Sequence, residues 1–208
     1  MADIVIVLTL IAAAFVLGSC PFALWIGRLR LHKDIRNFGD GNPGAANVFR
    51  AGGKWWGVVA IVADMVKGVP FVFIAKWMLY LSQPIVYLVA AAAVLGHAYS
   101  PLLHFRGGKA LAVFAGTLFA LSQWDVIFCL VVFFLLGFLF IGNDSWIVIL
   151  GMLGTLLTLL VTRADIWEIV FIFGITLLFL VKQFNGLQVK TDKTGRLIGW
   201  IRSTRKTA

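Results

Sequence analysis

The chain has 208 residues, of which 61% are hydrophobic and 13% are charged, and its formal net charge is +9. This composition excludes a soluble domain, which would carry far more charged and polar surface at this length. The positive charge does not indicate nucleic-acid binding, because the aromatic residues lie within and beside the apolar runs instead of alternating with basic residues elsewhere.

Seven apolar runs follow one another along the chain, and each approaches the length that crosses about 30 Å of hydrocarbon. They are residues 4–25, 55–80, 84–103, 110–122, 126–141, 146–161 and 166–181. The fourth is short, with about 13 residues where about 20 are usual. We do not expect the first run to be a cleavable signal peptide, since no basic residue precedes it. The sequence therefore predicts an all-α polytopic membrane protein with seven transmembrane helices, one of them short, in a single domain over residues 1–208.

The basic residues predict the orientation of these helices. With seven spans, all but three of the 18 Lys and Arg residues fall on one side of the membrane. They are Arg28, Arg30, Lys33, Arg36, Arg50 and Lys54 after the first run, Arg106 and Lys109 after the third, and Lys182, Lys190, Lys193, Arg196, Arg202, Arg205 and Lys206 after the seventh. Lys76 and Arg163 fall on the other side, and Lys67 lies within a run. Because cytoplasmic loops carry the excess of basic residues, we expect the N-terminus outside and the C-terminus, with the basic tail 182–208, in the cytoplasm.

The loop after the first run has the composition of an anion-binding turn. Residues 39–50 read GDGNPGAANVFR. Glycine adopts positive φ without strain, so successive backbone N–H groups can point at one anion. Arg50 adds a planar, permanently charged donor that suits phosphate. An ordinary turn between two spans would also explain the glycines, and both interpretations stay open at this point.

The loop after the third run repeats this combination of glycine and positive charge. Residues 96–109 read GHAYSPLLHFRGGK and end just before an apolar helix. Glycines at a helix start, between two cations, can place N–H groups, the helix dipole and an ammonium group around one anion. The alternative is an ordinary cytoplasmic loop with basic flanks. Because both loops are predicted on the same face, we favour a shared anion site.

Two charged residues interrupt the second apolar run. Asp64 and Lys67 are one helical turn apart, and intramembrane charges are costly unless they are paired or lie in a polar pocket. A structural ion pair is the interpretation we favour, and Gly68 with Pro70 predicts a kink at that depth. His97 lies near the membrane surface, where it serves either as a hydrogen-bonding residue at a helix end or as a catalytic base. The two cysteines lie within runs without ligand spacing, so no metal site is predicted.

These segments resemble signature motifs of the bacterial membrane glycerol-3-phosphate acyltransferases that use acyl phosphate as donor. The first family motif reads Gly-Ser-Gly-Asn-Pro-Gly-Ala-Thr-Asn with Arg three residues later, and the second reads Gly-His…Lys-Gly-Gly-Lys-Gly. The matching residues here are Gly39, Gly41, Asn42, Pro43, Gly44, Ala45, Asn47 and Arg50, and then Gly96, His97, Tyr99, Phe105, Gly107, Gly108 and Lys109. Asp64, Lys67 and Gly68 match the family's Asp-x-x-Lys-Gly. The resemblance covers roughly residues 10 to 115.

The resemblance implies transfer of a fatty acyl group from acyl phosphate to the 1-hydroxyl of glycerol 3-phosphate. The product would be lysophosphatidic acid, made at the bacterial plasma (inner) membrane among membrane lipids and without a cofactor or metal. The implied substrate-binding residues are Asp40, Gly41, Gly44, Arg50, Arg106, Gly107, Gly108, Lys109, Ser145 and Lys182, and the implied catalytic residues are Asn42, Asn47, His97 and Asn185. Among them, the two loop cations Arg50 and Lys109 and the glycine backbone would hold phosphate. The asparagines would orient hydroxyl or carbonyl groups.

The chain departs from the family pattern at several positions. Asp40 stands where the family has Ser, and Ala110 where it has Gly. After the seventh run, residues 181–185 read VKQFN in place of Arg-His-Arg-x-Asn. A carboxylate beside a phosphate site repels the substrate unless a cation covers it, and Lys182 is a candidate for that cation. The alternatives are a non-catalytic relative that binds a phospholipid or phosphorylated ligand, an acyltransferase with another acceptor, or a transporter. A transporter is disfavoured, because its polar residues would gather near the midplane.

Overall fold

The structure is a computed structural model that describes residues 3–162 and 165–188. Within these residues the chain forms helices and turns and no strand, so the all-α prediction is confirmed for them. Backbone contacts group the chain into two compact units, Met1–Gln123 and Trp124–Ala208. Arg163 and the basic residues beyond 188, which entered the prediction of orientation, lie outside the described residues.

The first unit contains the two glycine-containing loops. Its α-helices are α1 (Ile4–Ser19), α2 (Phe22–Arg30), α3 (Ala45–Arg50), α4 (Lys54–Val66), α5 (Pro70–Phe73), α6 (Gln83–Ala98) and α7 (Leu111–Leu121). It also has 3₁₀ helices at Ile35–Asn37 and Pro101–Leu103 and a π-helix, Ile74–Met78, that continues α5. The second unit contains α8 (Trp124–Phe140), α9 (Asp144–Thr162) and α10 (Ile166–Leu187).

Five apolar stretches are long enough to cross a membrane. They are Ile4–Arg30, Lys54–Met78, Gln83–Leu103, Asp144–Thr162 and Ile166–Leu187, and two shorter apolar helices are Leu111–Leu121 and Trp124–Phe140. Large apolar side chains remain exposed along them, among them Val5, Trp55, Phe128 and Val161. A surface of this kind suits lipid and not water, so the chain is a multi-pass integral membrane protein.

Two of these stretches are broken next to a proline. Ile4–Arg30 is one apolar run, but α1 ends at Ser19 and α2 begins after Pro21. The second stretch breaks between Val66 and Pro70, where the sequence predicted a kink. Proline cannot donate to the preceding turn and its ring clashes with it. Each break frees backbone carbonyls inside a membrane protein, and these carbonyls need polar partners.

Glycine allows α1 and α6 to approach each other closely. A Cβ added to Gly18 would collide with the Ala93 carbonyl, and one added to Gly96 would collide with the Phe15 carbonyl. Small residues at a helix interface let the backbones come together in this way. The contact fixes the end of α6, which carries His97, beside the break that follows α1.

Candidate active site

The first glycine-containing loop curls over the start of α3. Gly39 and Gly41 have φ angles of +57° and +72°, which favour glycine over any other residue. A Cβ on Gly39 would also collide with the side chain of Asn47 and lie 2.6 Å from Arg50 Nη1. The two glycines therefore let Asp40, between them, lie directly above the polar side chains of α3.

Asp40 is the centre of a charged cluster. Its Oδ2 lies 2.9 Å from Lys109 Nζ, and its Oδ1 lies 3.7 Å from Arg50 Nη1. Oδ1 also accepts hydrogen bonds from the Asn47 side chain at 3.1 Å and from the Asn42 backbone N–H at 3.2 Å. The structure thus brings residues of both glycine-containing loops together, and an ion pair joins them.

The charge of Asp40 is balanced by cations of these two loops. Partial burial raises the pKa of Asp40, but the hydrogen bond and charge of Lys109, together with the hydrogen bonds from Asn42 and Asn47, outweigh this effect, so the pKa lies below the usual carboxyl value. Asp40 is therefore ionised at neutral pH. Lys109 and Arg50 lie beside Asp40, and the role suggested for Lys182 stays a prediction. Lys109 reaches Asp40 because the second loop returns across the first, which sequence spacing does not reveal.

Asn47 organises this cluster from below. Its side chain is fully buried, and its Nδ2 donates to the Asn42 carbonyl at 2.8 Å as well as to Asp40. Its Oδ1 accepts from Arg50 Nη1 at 2.8 Å. We expected Asn47 to orient a substrate hydroxyl or carbonyl. In the structure its amide makes these internal bonds, which position Asp40 and Arg50, and its role toward a substrate stays a prediction. The half-buried Asn42 side chain remains a candidate for substrate contact.

In the second loop, Gly107 and Gly108 pack against the end of α6. A Cβ on Gly107 would collide with the His97 carbonyl, and one on Gly108 with the His97 imidazole. The Gly108 N–H donates to the His97 carbonyl at 3.0 Å. We expected this N–H to hold phosphate, but here it joins the loop to α6. The glycines let the loop pass over His97 and place Lys109 beside Asp40.

An ion pair lies below the loops, inside the second span. Lys67 Nζ is 2.8 Å from Asp64 Oδ1, which confirms the expected pairing, and both side chains are buried. Lys67 also donates to the Cys20 carbonyl at 2.6 Å, at the break between α1 and α2. His97 Nδ1 lies 3.9 Å from Asp64 Oδ1. The pair therefore ties three segments of the first unit together.

A small cavity lies between this helix break and the two loops. Its lining consists of Ser19, Cys20, Pro21, Pro43, His97, Ser100, Leu103 and Gly108. Ser100 Oγ donates to the Ser19 carbonyl at 2.6 Å, so the carbonyls of Ser19 and Cys20 both receive a side-chain donor. The sequence analysis did not predict a role for Ser100. The one feature that could have indicated it is a hydroxyl side chain directly before the proline at the end of the third apolar run.

The second unit holds a separate buried polar group. Ser145 Oγ donates to Gln183 Oε1 at 2.8 Å, and the Ser145 N–H donates to Asn143 Oδ1 at 2.8 Å. Asn143 Nδ2 donates to the Gly186 carbonyl at 2.9 Å, which joins the start of α9 to the end of α10. Asn143 and Gln183 were not predicted. Gln183 could have been found from its place in residues 181–185, which stand where the family has Arg-His-Arg-x-Asn.

The structure also locates the other predicted residues. Gly44 is the residue before α3, and Arg106 is exposed in the second loop. Lys182 is half-buried and Asn185 is exposed, both on α10. Their roles toward a substrate stay predictions.

The sequence matches the model of the family described as glycerol-3-phosphate acyltransferase over residues 8–188. The chain belongs to this family. A family member named glycerol-3-phosphate acyltransferase from Endomicrobium trichonymphae is 35% identical over 180 residues, which cover 86% of this chain and 88% of that protein. One of the same name from Lactococcus lactis subsp. cremoris (strain MG1363) is 30% identical over 195 residues, covering 88% and 89%. The protein of the same name from Anaeromyxobacter sp. (strain Fw109-5) is 42% identical, but the match spans only 60% of this chain and 63% of that protein. The one from Dechloromonas aromatica (strain RCB) is 46% identical over 54% of this chain and 56% of that protein.

The fold is similar to two crystal structures of another family member, PlsY (YgiH), an integral membrane glycerol 3-phosphate acyltransferase. Its glycerol 3-phosphate form gives a TM-score of 0.79 at 31% identity and covers 87% of this chain and 90% of that one. Its lysophosphatidic acid form gives a TM-score of 0.76 at 28% identity, covering 87% and 89%. Membership in the family confirms the resemblance that the two loops carried.

Proposed function

We propose that the protein transfers a fatty acyl group from acyl phosphate to the 1-hydroxyl of glycerol 3-phosphate and so forms lysophosphatidic acid. The observation that carries this proposal is that Lys109 and Arg50, from separate loops, both lie against the partly exposed Asp40 carboxylate. Two cations from separate segments converge on one carboxylate, and the buried Asn47 accepts a hydrogen bond from one of them, Arg50. Such a site suits phosphate. The names of the relatives, and the two ligand forms of PlsY, support glycerol 3-phosphate as the acceptor.

The reaction needs little covalent chemistry from the protein. The acceptor hydroxyl oxygen bonds to the acyl carbon, the bond from that carbon to the phosphate oxygen breaks, and the phosphate leaves with the electron pair. The departing phosphate takes up the hydroxyl proton, so atoms and charge balance. The protein must hold two anionic groups close together and exclude water, which positioning and fixed charges achieve. Arg50 and Lys109 bind phosphate in this scheme, Asn47 positions Arg50, and His97 anchors the second loop.

The direct test is a transfer assay on the purified protein with palmitoyl phosphate and labelled glycerol 3-phosphate. Arg50→Ala and Lys109→Ala each remove a charge-assisted contact, so we expect the apparent affinity to fall by about 10- to 150-fold. Lys54→Ala is the matched control, since Lys54 is an exposed cation just four residues after Arg50. If all three variants behave alike, the basic residues only set topology. If wild type binds lipid but transfers nothing, the protein is a non-catalytic relative.

We also propose the finer topology: seven spans in a single domain, an outside N-terminus and a cytoplasmic C-terminus in the bacterial plasma membrane. The five long apolar stretches and the two shorter helices supply seven segments. The clustering of basic residues in alternate loops supports this orientation. A reporter fused after Ala208 should be cytoplasmic, and one fused at Met1 should lie outside. Both ends on the same side would contradict seven spans.

A further inference from the structure

The Asp40 carboxylate lies between the two cations to which the proposed function assigns substrate phosphate. It is exposed to 41%, yet its two oxygens face Lys109 at 2.9 Å and Arg50 at 3.7 Å. Asn47 and the Asn42 backbone N–H donate to the same carboxylate. A carboxylate and a phosphate present similar oxygens to such donors, so both compete for the same cations.

We propose that Asp40 is an internal anion that holds Lys109 and Arg50 in the substrate-free protein, and that substrate phosphate binds by displacing it. The inference rests on the proposed function in one respect, the assignment of these two cations to phosphate. Asp40 thereby sets the affinity for the phosphorylated acceptor: it keeps the cations in place before binding, and it weakens binding by competing for them.

Three features of the site support displacement. The carboxylate borders solvent, so it can turn away from the cations without crossing packed atoms. Its neighbours Gly39 and Gly41 carry no side chains that would block that movement. Burial raises the pKa of Asp40, but Lys109, Asn42 and Asn47 together hold it below the usual carboxyl value, which keeps the competing charge present at neutral pH. A substrate must therefore displace an ionised carboxylate and not a neutral acid.

Asp34, just before the 3₁₀ helix Ile35–Asn37, provides a matched control. Its carboxylate pairs with Arg36 at 2.6 Å and Arg28 at 2.9 Å, so it is also an acidic residue that bridges arginines after the first span. No residue of that group contributes to the Asp40 cluster among the described contacts. Asp34→Asn therefore removes a comparable ion pair and leaves the proposed phosphate site intact.

The experiment compares wild type, Asp40→Asn, Asp40→Ser and Asp34→Asn in the transfer assay, with inorganic phosphate as a competing probe. For both Asp40 variants we expect the KM for glycerol 3-phosphate and the inhibition constant of inorganic phosphate to fall together by about 3- to 30-fold. We expect kcat to change by less than about twofold and Asp34→Asn to match wild type. A fall in kcat at unchanged KM would overturn the proposal and assign Asp40 to the acceptor hydroxyl. Unchanged constants in all variants would overturn it as well.

A binding measurement separates this inference from the proposed function. Calorimetric titration of detergent-solubilised protein with inorganic phosphate requires no acyl transfer. Tighter binding by Asp40→Asn than by wild type supports the internal anion even if no transfer occurs, in which case only the proposed reaction fails. Equal binding by both proteins refutes the internal anion even if wild type is an active acyltransferase. A single cooperative thermal unfolding transition well above the assay temperature establishes that each variant is folded.

Discussion

Replacing the buried Lys67 should destabilise the protein more than replacing Lys67 and Asp64 together. The two side chains are exposed to 0% and 3%, and their charged atoms are 2.8 Å apart. Lys67→Met leaves the Asp64 carboxylate buried without its cation. It also removes the donor to the Cys20 carbonyl at the break between α1 and α2.

The magnitude follows from the burial and the distance. At an effective dielectric constant of about 20, two charges 2.8 Å apart attract by about 6 kcal/mol, and the cost of desolvating both groups offsets much of this. Removing one partner of such a pair costs about 3–5 kcal/mol. In the double variant Asp64→Asn with Lys67→Met, neither residue of the pair carries a charge. The double variant then loses mainly the hydrogen bond to Cys20, about 1–3 kcal/mol.

Unfolding in detergent, followed by tryptophan fluorescence, measures these free energies. Ser100→Ala is the matched control, because it removes an uncharged donor from the neighbouring Ser19 carbonyl, and we expect it to cost about 1–3 kcal/mol. The double variant should resemble this control, and Lys67→Met alone should be less stable than either. If Lys67→Met costs no more than the double variant, the charge of Asp64 is compensated in another way and the reasoning fails.

Three further predictions concern the loops. Gly108→Ala places a Cβ against the His97 imidazole. We therefore expect thermal unfolding to show a destabilisation of about 1–3 kcal/mol, and acyl transfer to be at least tenfold slower. A wild-type transfer rate would contradict the packing role of Gly108. Ala110 has a φ angle of +62°, which glycine adopts without strain. We therefore expect Ala110→Gly to stabilise the fold by about 0.5–1 kcal/mol and to raise the melting temperature. An unchanged melting temperature would show that Ala110 is not strained. The hydrogen bond from Arg36 lowers the pKa of Asp34, and burial raises it by a smaller amount. The stabilisation that the ionised Asp34 gives the fold is therefore complete above pH about 4 and is lost as the pH falls further. Unfolding of wild type and Asp34→Asn should therefore differ at pH 6 and converge in acid, and a constant difference would exclude this linkage.

The sequence predicted the helices well, because hydropathy and charge are local properties of the chain. The kink near Gly68 and Pro70 could also be predicted, since both residues break helices by themselves. The break at Pro21 was not predicted, because the apolar run continues on both sides of it. Its stability depends on donors from Lys67 and Ser100, which are distant in sequence. A one-dimensional pattern does not show such partners.

For the candidate site too, the sequence predicted which residues are present but not which residues they contact. The motifs supplied Asp40, Arg50 and Lys109, but the direct contact of Asp40 with Lys109 depends on how the second loop crosses the first. Gly107 and Gly108 were interpreted as an anion cradle, and the structure shows them against His97. Glycine is required for both arrangements, since each brings a backbone close to another group. Only the folded structure distinguishes the two arrangements.

Ser145 offers a final prediction that separates a structural role from substrate binding. Its hydroxyl donates to Gln183 Oε1 at 2.8 Å, and both residues are buried. Ser145→Ala leaves that amide oxygen without this donor, so we expect a loss of about 1–3 kcal/mol in unfolding. Adding Gln183→Met should recover most of it, because an unsatisfied polar atom is replaced by an apolar side chain of similar length.

Thr158→Ala is the control for this pair. Thr158 lies on the same helix, and its hydroxyl donates only to the Gly154 carbonyl one turn earlier among the described contacts, at 2.9 Å. We expect this variant to change stability by less than about 0.5 kcal/mol. If Ser145 is structural, the KM for glycerol 3-phosphate stays at the wild-type value in Ser145→Ala, and stability alone falls. A raised KM with unchanged unfolding would instead assign the Ser145 hydroxyl to the substrate, and the bond to Gln183 would then be the substrate-free state of a binding group.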